Sequence, residues 1–259
     1  MLLSQIVVYP IKSMDGIALA EARLTAGGIL EHDRIYALVD EAGAYVNAKR
    51  TPRIQLLRST FDPAGEEICV WETGASARAH FSLADPKMFN CWLSDFFGFP
   101  VKLIFERKSG FPDDRTAFGP TVTSEASLRA VTEWFPDMTL ESARRRFRSN
   151  LELSGVPPFW EDHLFGNAGE LKPFRIGSVK FFGHNPCQRC VVPTRDPDRS
   201  EPIPQFQKEF MALRKKHLPA WSNPDRFNHY YRFATNTSVP PTEAGKTLRV
   251  GDVIELEST

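Results

Sequence analysis

The sequence predicts a mainly β chain with a few helices, an α+β protein, and three observations carry that expectation. Short β-branched and aromatic runs alternate with Gly, Pro and Asp; only a few segments show helical spacing; and one polar, turn-rich stretch interrupts the middle of the chain. Residues 6–9, 34–39 and 54–57 read as strands. Asp40-Glu41-Ala42-Gly43 is a hairpin turn returning through residues 44–46. Strands and turns at this density suit a barrel or a sandwich.

Asp85-Pro86 starts a helix and Gly98 stops it, with Met88, Phe89, Trp92, Leu93, Phe96 and Phe97 as its core stripe. A second helix runs from near Ser124 towards Phe135, with Leu128 and Val131 inward. A strand is expected over 101–105, and the Gly-, Pro- and Asp-rich stretch 107–120 marks a boundary. The division is therefore 1–106 and 107–259. In the second part, strands are expected over 147–153, 179–182 and 248–256, the last turning at Gly251-Asp252. A third helix over 205–217 turns Phe206, Phe210 and Leu213 inward and ends in basic residues.

At 259 residues the chain is long enough for a large core, and 42% hydrophobic with 25% charged residues is ordinary for a globular protein. Lys plus Arg and Asp plus Glu both number 32, so a nucleic-acid partner is not expected and any anion site must be a local concentration of cations. Four cysteines are too few for a secreted disulfide framework. The first 13 residues lack the pattern of a signal peptide, and no apolar run is long enough to span a membrane. A cytoplasmic protein with no membrane partner is the expectation.

Chemistry concentrates in three segments. In His184-Asn-Pro-Cys187-Gln-Arg-Cys190, a Cys-x-x-Cys can be a redox pair, part of a zinc site or a thiolate ligand for a soft metal. Val191, Val192 and Pro193 disfavour the helix that a redox pair needs, while His184 with both thiols leaves zinc open. Cys187 also suits simple packing, and Arg189 or Arg195 favours a thiolate if it approaches. In Arg144-Arg-Arg-Phe-Arg148-Ser-Asn150, strand alternation places Arg146, Arg148 and Asn150 on one face. Arg144 and Arg145 read as solvated charges, whereas Arg148 offers a phosphate fork and Asn150 an amide for a heterocycle edge. In Tyr9-Pro-Ile-Lys12-Ser13, an ammonium and a hydroxyl end a strand, with Asp33-Arg34 some distance on.

These segments, in this order, resemble the MOSC family with its N-terminal β-barrel domain. Thr51-Pro-Arg53, Ser124-Glu-Ala-Ser-Leu128, Glu161-Asp162, Thr194-Arg-Asp-Pro197 and Val250-Gly-Asp252 extend the likeness over nearly the whole chain. The resemblance implies a β-barrel MOSC core preceded by a β-rich, barrel-like domain. It implies a molybdenum cofactor, a pterin dithiolene with molybdenum, whose metal is bound by Cys190 as the catalytic centre. It assigns pterin and phosphate contacts to Lys12, Ser13, Arg34, Arg148 and Asn150. Ser149, where many relatives have proline, and Gln188, Arg195 and Met14 depart from the usual pattern.

The activity so implied is an oxidoreductase that reduces small N-oxygenated or N-hydroxylated compounds. A Cys-x4-Cys-x2-Cys cluster motif is not found in this sequence, so a separate electron-transfer protein or reductase is expected. Asp196 is a candidate supporting group or simply a turn residue. The alternatives are a cofactor carrier or sulfur-transfer protein using Cys190, because MOSC domains also end cofactor sulfurases, and a zinc-stabilised binding module.

Overall fold

The computed structural model describes every residue except Arg115, which falls in the expected boundary stretch, and Ser258 and Thr259, the last positions of the second part. The chain folds mostly as β-sheet with four α-helices. The strands are β1 (Leu2–Val8), β2 (Ile17–Leu19), β3 (Glu21–Arg23), β4 (Tyr36–Val39), β5 (Leu57–Asp62), β6 (Glu67–Glu72) and β7 (Ala79–Ser82). Helix α1 (Lys87–Phe97) and β8 (Lys102–Phe105) follow, then β9 (Val122–Ser124), α2 (Glu125–Trp134), α3 (Leu140–Phe147) and β10 (Leu151–Ser154). The chain continues through β11 (Lys172–Ile176), β12 (Val179–Gln188), α4 (Phe206–Lys216), β13 (Arg232–Ser238), β14 (Thr247–Arg249) and β15 (Ile254–Leu256).

An eight-stranded sheet in the order β15-β11-β12-β13-β9-β10-β1-β2 organises the molecule. It curls until β1 approaches β15: Leu3 N–H bonds to Asp252 O, Gly251 N–H bonds to Leu3 O, and Leu2 bridges Val253. The first strand thus belongs to the sheet of the later sequence, where it pairs with β10, and β3 pairs with β14. Packing follows the same interleaving. Leu3, Ile6, Val8 and Leu24 share one apolar core with Val122, Phe174 and Phe181. A second core joins α1 to the small sheets through Phe89, Leu93, Ile54 and Val70. The third lies among the other helices, around Leu128, Phe147, Phe206 and Phe210. Each such side chain contributes roughly 1.5–3 kcal/mol on burial.

Several local expectations needed correction. Residues 52–56 form a 3-10 turn led by Pro52, so β5 starts only at Leu57. Met88 falls outside the α1 stripe and is 70% exposed. The last segment does turn at Gly251-Asp252 as expected, and the turn separates β14 from β15, which pair with different strands. In α4, Leu213 is only half-buried; Arg214 is buried beside it, paired with Asp162 at 2.5 Å. Gly183 is required where β12 passes the loop before β11, since a Cβ there would lie 1.6 Å from Leu164 O. No helix of the described residues is long and apolar enough to cross a membrane.

Candidate cofactor site

One wall of the site grows out of the end of β1. Asp33 is the anchor: its Oδ1 accepts from Tyr9 N–H at 2.9 Å and from Asn150 Nδ2 at 3.0 Å, and its Oδ2 accepts from Arg34 Nη1 at 2.5 Å. Arg34 itself has a left-handed backbone (φ 51°), locked by its N–H bond to Tyr9 O. Lys12 is 8% exposed and donates to Phe111 O at 2.9 Å and Asp113 Oδ1 at 2.7 Å. Burial pulls the Lys12 ammonium below its ordinary pKa, with Asp113 opposing. Burial by itself would raise Asp113, but the Lys12 and Arg34 charges reverse this and hold its carboxyl below the usual carboxylate range. Ser13 Oγ accepts from Ala48 N–H at 3.2 Å, which leaves its own proton to donate.

Tyr9 is the platform beneath this wall. The Arg148 guanidinium lies 4.1 Å from its ring centroid and that of Arg34 lies 5.3 Å away. Burial pushes the phenol up to about 12 against the lowering influence of both arginines, and its hydroxyl donates to Ser149 O at 3.1 Å. Gly16 leaves room for the ring, because a Cβ there would come within 2.7 Å of Tyr9 Cε1.

The opposite wall is not built as the sequence predicts. Residues 147–153 do not form one strand: α3 ends at Phe147, capped at its start by Thr139 Oγ on Ser142 N–H. Ala143 and Phe147, four residues apart, bury its apolar side, and Arg144, Arg145 and Arg146 occupy the last turn, where cations suit the helix dipole. Arg148 is the left-handed residue that stops the helix (φ 49°). Arg146, Arg148 and Asn150 consequently do not share a face. Arg146, 3% exposed, donates to Pro193 O and Arg195 O and so fixes the loop after Cys190.

Arg144 and Arg145 are paired, not simply solvated: the first is bidentate on Glu152 and the second binds Asp198. The Arg148 side chain forms no hydrogen bond or ion pair among the described residues and faces the cavity; burial lowers its pKa. Asn150 is 1% exposed, does not line that cavity, and spends its amide on Val7 O, Asp33 and Thr121. It stands behind Arg34 instead of beside it.

Cys187 is on the last stretch of β12, where paired bulges around Pro186 bend the strand, and Cys190 lies in the following turn. Val192–Thr194 forms only a 3-10 turn. Both thiols are free and half-buried. Arg189 donates to Cys187 Sγ at 3.2 Å and to Phe147 O at 2.6 Å, tying the cysteine turn to the end of α3. Arg195 turns away to Ala48 O, and Asp196 accepts from Asp198 N–H and Arg199 N–H as a turn residue. His184 bonds to Ser238, and no group of three His, Cys, Asp or Glu gathers among the described residues, so the zinc set of His184, Cys187 and Cys190 is not assembled.

Between the walls lies a cavity of about 710 Å³ lined by Lys12, Ser13, Arg34, Arg148, Cys187 and Cys190, with basic side chains outnumbering acidic ones. Asp113 is the main residue that the sequence left without a place in the site, whereas Arg189, expected only to approach a thiol, does reach that of Cys187. Asp113 lies in the stretch read only as a boundary, and nothing local announces that it meets Lys12, 101 residues away.

Residues 1–96 match the family model of the MOSC N-terminal beta barrel domain, and residues 116–255 match that of the MOSC domain. The chain belongs to the MOSC domain family. Among characterised MOSC relatives, mitochondrial amidoxime-reducing component 1 of Mus musculus is 26% identical, over 98% of this chain and 81% of its own length. Its Homo sapiens counterpart is 23% identical over 98% and 82%. The molybdenum cofactor sulfurase of Danio rerio is 23% identical over 73% of this chain but 28% of its own length.

Proposed function

We propose that this MOSC-family chain binds a molybdenum cofactor through the Cys190 thiolate and uses it to reduce small N-oxygenated compounds, such as N-hydroxylated bases or amidoximes. The reading rests on one observation: a free thiol, an unpartnered guanidinium, a buried ammonium and a hydroxyl line the same cavity. The donor set fits the group, since a soft thiolate suits an electron-poor metal and cationic forks suit a phosphate tail. Two relatives named for amidoxime reduction along almost the whole chain support the substrate class.

When bound, the cofactor would supply two-electron redox chemistry for the overall conversion, in which the substrate's N–O bond gives way to N–H and two electrons and two protons carry the oxygen off as water. The chain's own residues bind and orient. Cys190 anchors the metal; Arg148 and Lys12 take the phosphate; Ser13 donates its free proton; Arg34, immobilised by Asp33, presents a fixed guanidinium. Asn150 and Tyr9 hold these groups in position from behind. Electrons come from a separate protein, so the purified chain turns over with a chemical reductant but not with pyridine nucleotide alone.

The test is Cys190→Ser in a host that makes the cofactor. Molybdenum content and reduction of an amidoxime should both vanish while the melting temperature stays put; full metal loading in the variant ends the reading. The sulfurase relatives, which match 73% of this chain, favour a second reading in which Cys190 passes sulfur or cofactor onward. Rapid exchange of the cofactor to an apo-acceptor, without reductase activity, would select it.

A further inference from the structure

The cations of the cavity divide into those that already have a carboxylate and those that do not. Lys12 has Asp113, Arg34 has Asp33, Arg145 has Asp198 and Arg146 has Asp196. If a phosphate takes Arg148, positive charge is still left over on the wall next to the cysteine turn. Arg232 opens β13 opposite Gln188, and its guanidinium donates to Pro186 O and Asn228 Oδ1, both at 2.7 Å. Among the described residues it forms no ion pair and its buried Nε has no hydrogen-bond partner. Arg226, also lining the cavity, ends on the carbonyls of Gly166, Asn167 and His184. The carboxylate nearest in sequence, Asp225, is exposed and pairs with neither. Glu170 acts on Arg226 at longer range, and Arg232 lies near Cys187 and Arg226.

We infer that Arg232, supported by Arg226 and Asn228, is an anion subsite that receives a carboxylate or phosphate on the N-oxygenated substrate, so that anionic substrates are preferred to neutral ones. The physical reason is charge balance. A partly buried guanidinium that satisfies its geometry on neutral oxygens keeps its full charge, and an entering anion is stabilised there more than in water. The position is also right in the chain: Arg232 pairs in register with Gln188, two residues before Cys190, so an anion held there puts the rest of a small molecule along the cysteine turn.

This inference rests on the cofactor reading, and its test is a binding measurement that does not need turnover. Cofactor-loaded protein without reductant is titrated calorimetrically with benzamidoxime and with 4-carboxybenzamidoxime at low and high salt. The carboxylated compound should bind about tenfold more tightly at low salt, with the advantage shrinking as salt rises. Arg232→Gln should erase the advantage, and Arg232→Lys, which keeps the charge, should retain most of it. Equal affinities, no binding of either compound, or an undiminished advantage in Arg232→Gln would each overturn the subsite. So would release of a nucleotide from the bound cofactor, because a second cofactor phosphate would then claim this wall. Molybdenum analysis of the same preparation reports separately on the parent reading. If metal is missing, the titration is repeated in an Arg148→Gln background, where the phosphate grip no longer competes for the probe.

Discussion

On the wall that grows from β1, Lys12 and Arg34 each lie against a carboxylate, and the whole group is knitted to the backbone through Asp33 and Asn150. On the wall of the cysteine turn, Arg148 leans on an aromatic ring, Arg189 ends on a carbonyl and a sulfur, and Arg232 ends on an amide and a carbonyl. The first wall has its cations already paired, so it contributes a fixed shape and little net charge, with the remaining ammonium proton of Lys12 and the Ser13 hydroxyl left to donate. The second holds its charge in reserve for a ligand. A chain of zero net charge concentrates positive potential in this way without sacrificing stability on both sides of the cavity.

The largest expected effect on folding breaks the first wall. Arg34→Gln strands the Asp33 carboxylate, 5% exposed, without its cation and should cost about 3 kcal/mol, read in chemical denaturation. Arg148→Gln is the matching change on the second wall. It should leave stability unchanged or slightly raised, because no partner is orphaned, while cofactor retention falls about tenfold or more. Equal destabilisation by the two variants would erase the distinction drawn between the walls.

A buried carboxyl outside both walls sharpens the comparison by showing what an uncompensated charge costs here. Glu161 is 1% exposed, accepts from the hydroxyls of Thr123, Ser124 and Ser127, and is pushed up to about 7 by burial, with Asp162 adding to the rise. Its folded-state pKa lies above the ordinary 4.5, so the folded protein holds the proton more tightly than the unfolded chain. That contribution is full below about pH 4.5 and drains away as pH climbs to about 7, a loss on the order of 3 kcal/mol. Glu161→Gln should flatten this part of the stability profile; an unchanged slope in the variant would show that Glu161 is not its source.

The smallest expected change concerns the aromatic platform shared by the walls. Gly16→Ala pushes a methyl into the Tyr9 ring and should cost about 1–2 kcal/mol, with a few-fold weaker cofactor retention because Arg34 and Arg148 both rest on that ring. Stability lost with unaltered retention would reduce Tyr9 to packing.

Much of this is visible in the primary chain. The α1 stripe around Phe89 and Leu93, the Gly98 stop and the Ser124 cap of α2 are local patterns, and their physics is local too. The arginine run shows where such reading fails. Alternation over 144–150 suits a strand, yet Thr139 caps a short helix whose last turn holds the arginines, and the left-handed turn at Arg148 sends its side chain to the cavity and Asn150 behind it. A one-residue difference in backbone conformation there decides which polar group meets a ligand, and periodicity cannot resolve it.

By itself the sequence determined the β-rich class, the helices with strong caps, and the chemical types available: a thiol pair, phosphate-binding cations and few other candidates. Only the tertiary structure decided that β1 joins the sheet of the later sequence, that Asp113 meets Lys12 across 101 residues, and which arginines go without carboxylates. The reason is physical. Propensity and capping act over a few residues, whereas burial and charge pairing are settled by whichever distant segments the packed sheet brings together.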